Sequence, residues 1–269
     1  MAEHIHYVYG VARPTLPVSS APAGVDDAPV RLEREGDVAA LVSSVDAATY
    51  PEGALDERTG DLEWLAPRAM AHDRVLTWAS DATAVAPFPL LSLFRDEAGV
   101  RAMLRERRDA LARALERAAA GREYHLRVFR LDDRLVEHLG ELSPRIAEME
   151  QAAERATPGQ RYLLGRKLAE ERRLELRRVA ADVAREVHAT LRAVALDCAT
   201  DPLPRQASEG GGAGVAVLNA AYHVSDSTLD GFRAALTALV ERREREGFRF
   251  EFTGPWPIYH FVREPGDGE

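Results

Sequence analysis

The sequence predicts an α+β protein made of two small-sheet domains of ferredoxin-like (split βαβ) character, with a long helix or helical pair and a C-terminal tail. Three observations carry that prediction. Short β-branched and aromatic runs alternate with longer stretches of helical period. The 269 residues predict one large domain or two ordinary ones, because single cores rarely grow past roughly 250 residues. The strand pattern also restarts at Tyr124, directly after a helix-ending glycine, Gly121.

Ile5–Val11 (IHYVYGV) reads as a strand, and Pro14 to Pro29 as a loop with four prolines. Val38–Val45 is a second apolar run of strand length, and a loop follows around Tyr50–Gly60. Asp61 suits a helix cap, since Leu62, Leu65, Ala69, His72, Leu76 and Ala79 recur at helical spacing. Pro67 falls inside that pattern, so the regular helix is expected to start there. Pro87 and Pro89 confine Thr83–Phe94 to an edge strand or a strand-turn-strand. Asp96 caps the next helix, with Val100, Met103, Leu104, Leu111, Leu115 and Ala118 as its stripe, and Gly121 ends it.

Tyr124–Leu131 alternates as a strand does, and Asp132–Glu154 is helical with an interruption at Ser143-Pro144. Thr157-Pro158 opens a long helix expected to reach about Asp197, with Leu176, Val179, Ala180, Val183, Val187, Leu191 and Val194 inward. Pro202–Gly214 combines prolines with a glycine run and is expected to be mobile. Val215–Val224 is a strand, Thr228–Glu246 a helix, and Phe248, Phe250 and Phe252 alternate in a last strand. The organisation is therefore an N-terminal domain over 1–121, a C-terminal domain over 122–252, and a Pro/aromatic tail over 253–269. No sequence repeat relates the halves.

Composition excludes several classes of function. The longest apolar stretches, such as Ala84–Leu91, fall far short of the ~18 residues that span a bilayer. The N-terminus has no basic or apolar signal region, so a cytoplasmic protein is expected. One cysteine, Cys198, precludes an intramolecular disulfide or a Cys-based zinc site. The net charge of −9 disfavours nucleic acid. Lys167 is the only lysine, and the arginine-rich helices interleave Glu and Asp, which reads as ion-paired solvated faces.

Nothing in the pattern reads as catalytic, and no cofactor or metal is expected. Gly210-Gly211-Gly212-Ala213-Gly214 precedes a strand and lacks the Gly-Lys-Ser/Thr of a phosphate loop. His72 sits on an apolar stripe, where a histidine is ordinarily a hydrogen-bonded core residue, and adjacent Asp73 points about 100° away on a helix. His4 and His6 share one face of a strand, a geometry that could bind a metal but is not expected to here. Glu171 and Glu175 stand one helical turn apart among arginines, which suits surface ion pairing better than a raised-pKa acid. Cys198 lies at the expected helix end with no motif around it.

The run Thr253-Gly254-Pro255-Trp256-Pro257-Ile258-Tyr259-His260-Phe261 stands apart. Its prolines stiffen an extended path, and Trp256, Tyr259 and Phe261 offer large rigid contact areas. Trp256, Pro257, Tyr259 and Phe261, with Tyr222, are the candidate partner-binding residues. The alternative for the tail is to fill a groove of its own protein. Gly254–Phe261 resembles the terminal Gly-Pro-Trp-Pro-Pro-Tyr-x-Phe signature of the gas vesicle protein L/F family (GvpL/GvpF). Tyr7–Val11, Ala71–Val75, Gly159–Leu164 and Asn219–Tyr222 match in the same order, so the resemblance covers nearly the whole chain. Ala86–Phe94 departs from it, lacking the Arg and Gly of a Leu-Pro-x-Arg-Phe-Gly-like segment.

That resemblance implies a minor structural or accessory protein of gas vesicles, cytoplasmic or on the vesicle. It would bind the small hydrophobic shell protein GvpA, alongside other gas vesicle accessory proteins, and prevent its aggregation during nucleation or assembly. The alternative from another class is a ferredoxin-like small-molecule-binding enzyme or regulatory module. That reading requires an apolar pocket with converging polar groups, lined for example by His72 and Tyr222. A third reading, a nucleic-acid binder using the arginine helices, would show as salt-dependent retention on DNA.

Overall fold

The computed structural model describes residues 4–51, 58–203 and 214–262. Most of Pro202–Gly214 and the middle of the 50–60 loop lie outside them. The chain divides into two units: Met1–Glu123 with Pro255–Glu269, and Tyr124–Gly254.

The first unit is built on a sheet of β1 (His4–Ala12), β2 (Arg31–Glu35), β3 (Val38–Asp46), β4 (Val85–Pro87) and β5 (Leu93–Phe94). Its order is β2-β3-β1-β4, with β5 also on β1, and every pairing is antiparallel. Along β3, Ala39, Leu41 and Val45 face α1 (Leu62–Ala82), while Val38, Ala40 and Val42 face α2 (Glu97–Glu106) and α3 (Arg108–Ala120). Helices on both faces explain why this strand is apolar almost throughout. The connection from β1 to β2 carries only two single-turn 3-10 helices where a split βαβ unit carries an α-helix.

The sequence reading needs three adjustments in this unit. α1 begins at Leu62 and runs through Pro67, because the Asp61 side chain accepts from Glu63 N and Trp64 N and secures the first turn. The helix after Asp96 is two helices, broken at Arg107 (φ −103°, ψ 14°). Strand β2 went unread, because its sequence RLERE is charged; Glu33 is nonetheless buried, accepting from Arg101 Nε at 2.5 Å.

The second unit contains β6 (Arg122–Arg130, entering at its start), α4 (Asp132–Leu142), α5 (Pro144–Glu154), α6 (Pro158–Arg192), β7 (Asp197–Thr200), β8 (Val215–Val224), α7 (Leu229–Arg243) and β9 (Phe248–Trp256). The strand order β7-β8-β6-β9 repeats that of the first unit: second, third, first, fourth in chain order. One core joins Tyr124, Leu126 and Val128 of β6 and Tyr222 of β8 to Leu135, Ile146, Phe232 and the inner stripe of α6. Thr157 and Gln160 form a capping box at the start of α6, as the Thr-Pro signal suggests.

Here too the reading is corrected. α6 stops at Arg192, and Cys198 lies in edge strand β7, paired with Tyr222 of β8. Four residues reading DCAT are too short to announce a strand. β9 continues to Trp256, so Gly254-Pro255-Trp256 still belongs to the strand. Among the described residues, no helix is long and apolar enough to cross a membrane.

Candidate functional site

Beyond β9, residues 257–262 belong to the first unit. Tyr259 packs against the α1-side core and Val262 against the α2/α3-side core. Ile258 and Phe261 are only 2% and 6% exposed, so this run is largely folded in. One bond pair fixes it in place. The carboxylate of Glu123, fully buried, accepts the His260 backbone N–H at 2.9 Å and meets His260 Nδ1 at 2.6 Å. Two hydrogen bonds to one buried carboxyl group make a geometrically specific anchor. Nothing in the sequence pattern distinguishes Glu123 from the other acids among 44.

The anchored tail forms one wall of a cleft of about 320 Å³. Tyr259 and Val262 line it together with Ala86–Pro89, with Arg107 at the break between α2 and α3, and with Ala110, Leu111 and Ala114 of α3. The cleft is thus mainly apolar, with Arg107 as the one charged residue among the described residues lining it. Burial pushes the Tyr259 phenol up, and the charges of Asp73 and Glu123 add to it, so the ring stays neutral. The Ala86–Pro89 wall falls within the segment that departs from the L/F pattern. Trp256 and Ile258 line a separate small crevice with Ser80, Thr83, Val85 and Ala118.

Of the five candidate contact residues, Trp256 and Tyr259 are half-buried, while Pro257, Phe261 and Tyr222 are buried. Tyr222 belongs to the second unit's core, stacking edge-on against Phe232 and bonding His188 Nδ1 at 3.0 Å. In this conformation the three buried residues shape their surroundings and present no surface.

The groups weighed for catalysis sit in structural roles. Leu91 N–H donates to the Tyr7 hydroxyl, which hydrogen-bonds His72 Nδ1 at 2.8 Å. Burial lowers the His72 pKa to about 4, partly offset by the Phe88 backbone, so the ring is a neutral core member. His6 is likewise kept neutral by burial and by Arg31, whose Nη2 donates to its Nδ1 at 2.9 Å. Glu175 is buried where surface pairing was expected, and bonds from Arg178 and Ser143 hold its carboxyl below the usual range. Glu171 accepts from Arg145 at 2.7 Å. Cys198 Sγ stands 3.9 Å from His188 Nε2. Burial raises the thiol and lowers the imidazole, which favours the neutral pair over a reactive thiolate.

Comparison with known proteins agrees with this architecture. The family model described as "Gas vesicle synthesis protein GvpL/GvpF" matches residues 5–263. Gas vesicle protein L of Streptomyces sp. (strain CB03234) is 34% identical, covering 97% of this chain and 93% of the relative. Gas vesicle protein F of the same strain is 30% identical, covering 95% and 98%. The crystal structure of GvpF from Anabaena sp. PCC7120 superposes with a TM-score of 0.68 at 14% identity, over 97% of this chain and 98% of that one. The last match is one of fold, and the family model with the two Streptomyces relatives carries the assignment. The chain belongs to the gas vesicle synthesis protein GvpL/GvpF family.

Proposed function

We propose that this protein is a non-catalytic gas vesicle accessory factor that binds the small hydrophobic shell protein GvpA at the tail-walled cleft and keeps it from aggregating before assembly. Family membership supports the gas vesicle role. The observation that carries the finer reading is the cleft: the run bearing the family-like signature forms its wall, and its lining is mainly apolar. A subunit that builds a gas-facing wall exposes apolar surface while free, and such surface drives aggregation until covered. A carrier with a net charge of −9 would keep the covered complex dispersed. In this reading half-buried Tyr259 on the cleft wall would touch the partner, half-buried Trp256 in its separate crevice would be a second contact, and buried Pro257, Phe261 and Ile258 would hold the tail's shape.

The alternative small-molecule reading asked for a pocket shared by His72 and Tyr222. These residues occupy the cores of different units, and neither lines a described cavity. The test of the proposal is co-purification. Tagged full-length protein, mixed with freshly diluted shell protein, should retain it on the resin and suppress its light scattering. Scattering that rises as fast as in the shell protein alone would refute the proposal.

A further inference from the structure

The ion pairing expected of the arginine-rich helices holds along most of α6 and stops at its beginning. From Glu171 onward many of its charges are matched: Arg145 with Glu171, Arg172 with Glu150, Arg178 with Glu175 and Asp182, and Arg242 and Arg243 with Glu186, while Arg173 and Arg177 have no acid partner among the described residues. From 155 to 168 the sequence holds four cations, Arg155, Arg161, Arg166 and Lys167, and no carboxylate. None of the four pairs with an acid among the described residues. In a chain of net charge −9 this is a local reversal of sign.

The same stretch exposes apolar side chains. Tyr162 and Leu163 are 68% and 67% exposed, whereas Leu168 turns inward into the core of the second unit. Helical spacing places Arg166 one turn after Tyr162 and Lys167 one turn after Leu163, so each apolar group has a cation about 5–6 Å away on the same face. Leu174, 57% exposed, continues the Leu163 line about 16 Å further along the axis. The positive end of the helix dipole adds to the field of the side chains.

We propose that the N-terminal part of α6 is a docking surface for an acidic, amphipathic helix of a partner protein. Charge complementarity selects the partner: its carboxylates answer Arg161, Arg166 and Lys167, and its apolar stripe covers Tyr162 and Leu163. A nucleic-acid backbone would use the cations and leave Leu163 uncovered. A membrane would need a broader apolar face than this stretch offers. This surface lies in the second unit, whereas the cleft is lined by residues of the first.

The test uses full-length protein and a fluorescein-labelled helical peptide with Leu on one face and Glu on its flanks, read by anisotropy at low and moderate salt. Binding is expected, weakening as salt rises. Tyr162→Ser/Leu163→Ser and Arg166→Glu/Lys167→Glu should each weaken it by about tenfold or more, a loss of about 1.4 kcal/mol. The milder Arg166→Gln/Lys167→Gln should fall between. Melting curves should not change, because all four side chains are exposed. Ala110→Glu, in the cleft, should bind the peptide normally. Failure to bind the peptide, or binding indifferent to these changes, overturns the proposal. So does peptide-independent retention on duplex DNA or on phosphatidylserine vesicles that the charge reversals abolish.

Discussion

At the residue scale, the first unit depends on buried polar relays whose members have no slack. Val25 N–H donates to the Tyr9 hydroxyl, Tyr9 donates to Ser43 Oγ at 2.8 Å, and Ser43 donates to Pro29 O. Gly24 stands against this relay: a Cβ there would lie 2.2 Å from the Tyr9 hydroxyl and 2.7 Å from Ser43 Oγ. Gly24→Ala should therefore destabilise the protein by about 1–3 kcal/mol, the usual cost of overpacking. An unchanged urea midpoint would contradict that. His72 makes a pH prediction. Its folded pKa of about 4 lies below the ordinary 6.5, so on acidification the unfolded chain takes the proton first. Its contribution to stability is intact above pH 6.5, is lost as pH falls towards 4, and changes no further below. The loss is on the order of 3 kcal/mol. His72→Gln, which can still hydrogen-bond Tyr7, should flatten the fall in unfolding free energy between pH 7 and 4.5 relative to wild type. Parallel pH profiles would show that His72 is not the titrating group.

At the element scale, the tail is where reading from sequence and reading from structure diverge most. The prolines and aromatics of 253–261 identify an extended, contact-forming segment, and β9 with its alternating phenylalanines is legible too. What the sequence does not announce is where the tail goes, because Glu123 and His260 are 137 residues apart and their pairing leaves no local pattern. The burial of Ile258 and Phe261 matches the alternative in which the tail fills a groove of its own protein. Phe261→Ala should accordingly cost about 3–5 kcal/mol, visible as a lowered melting temperature, while Trp256→Ala should cost less. Equal effects would mean that burial does not rank these two residues. β2 and β7 escaped notice for a related reason. The charges of β2 are satisfied only by distant partners such as Arg101, and β7 is four residues on an edge. Caps fared better, since Asp61, Asp96 and Thr157 act within their own first turns.

At the scale of the whole molecule, two units share one strand order without sharing sequence, and each closes its own core. The α+β class and the restart near Tyr124 were legible because periodicity is a local property. The cleft was not legible, since Ala86–Pro89, α3 and the tail reach it from three separated stretches. The central claim is that this cleft receives the shell protein, and one measurement addresses it most directly. Ala110 is half-buried on the cleft wall, so Ala110→Glu introduces a charge there without removing any core side chain. Affinity of full-length wild type and of this variant for labelled shell protein should be compared, with melting curves to confirm equal folding. The account predicts at least about a tenfold loss of affinity, equivalent to about 1.4 kcal/mol, at an unchanged melting temperature. A well-folded Ala110→Glu protein that binds the shell protein as tightly as wild type would contradict it.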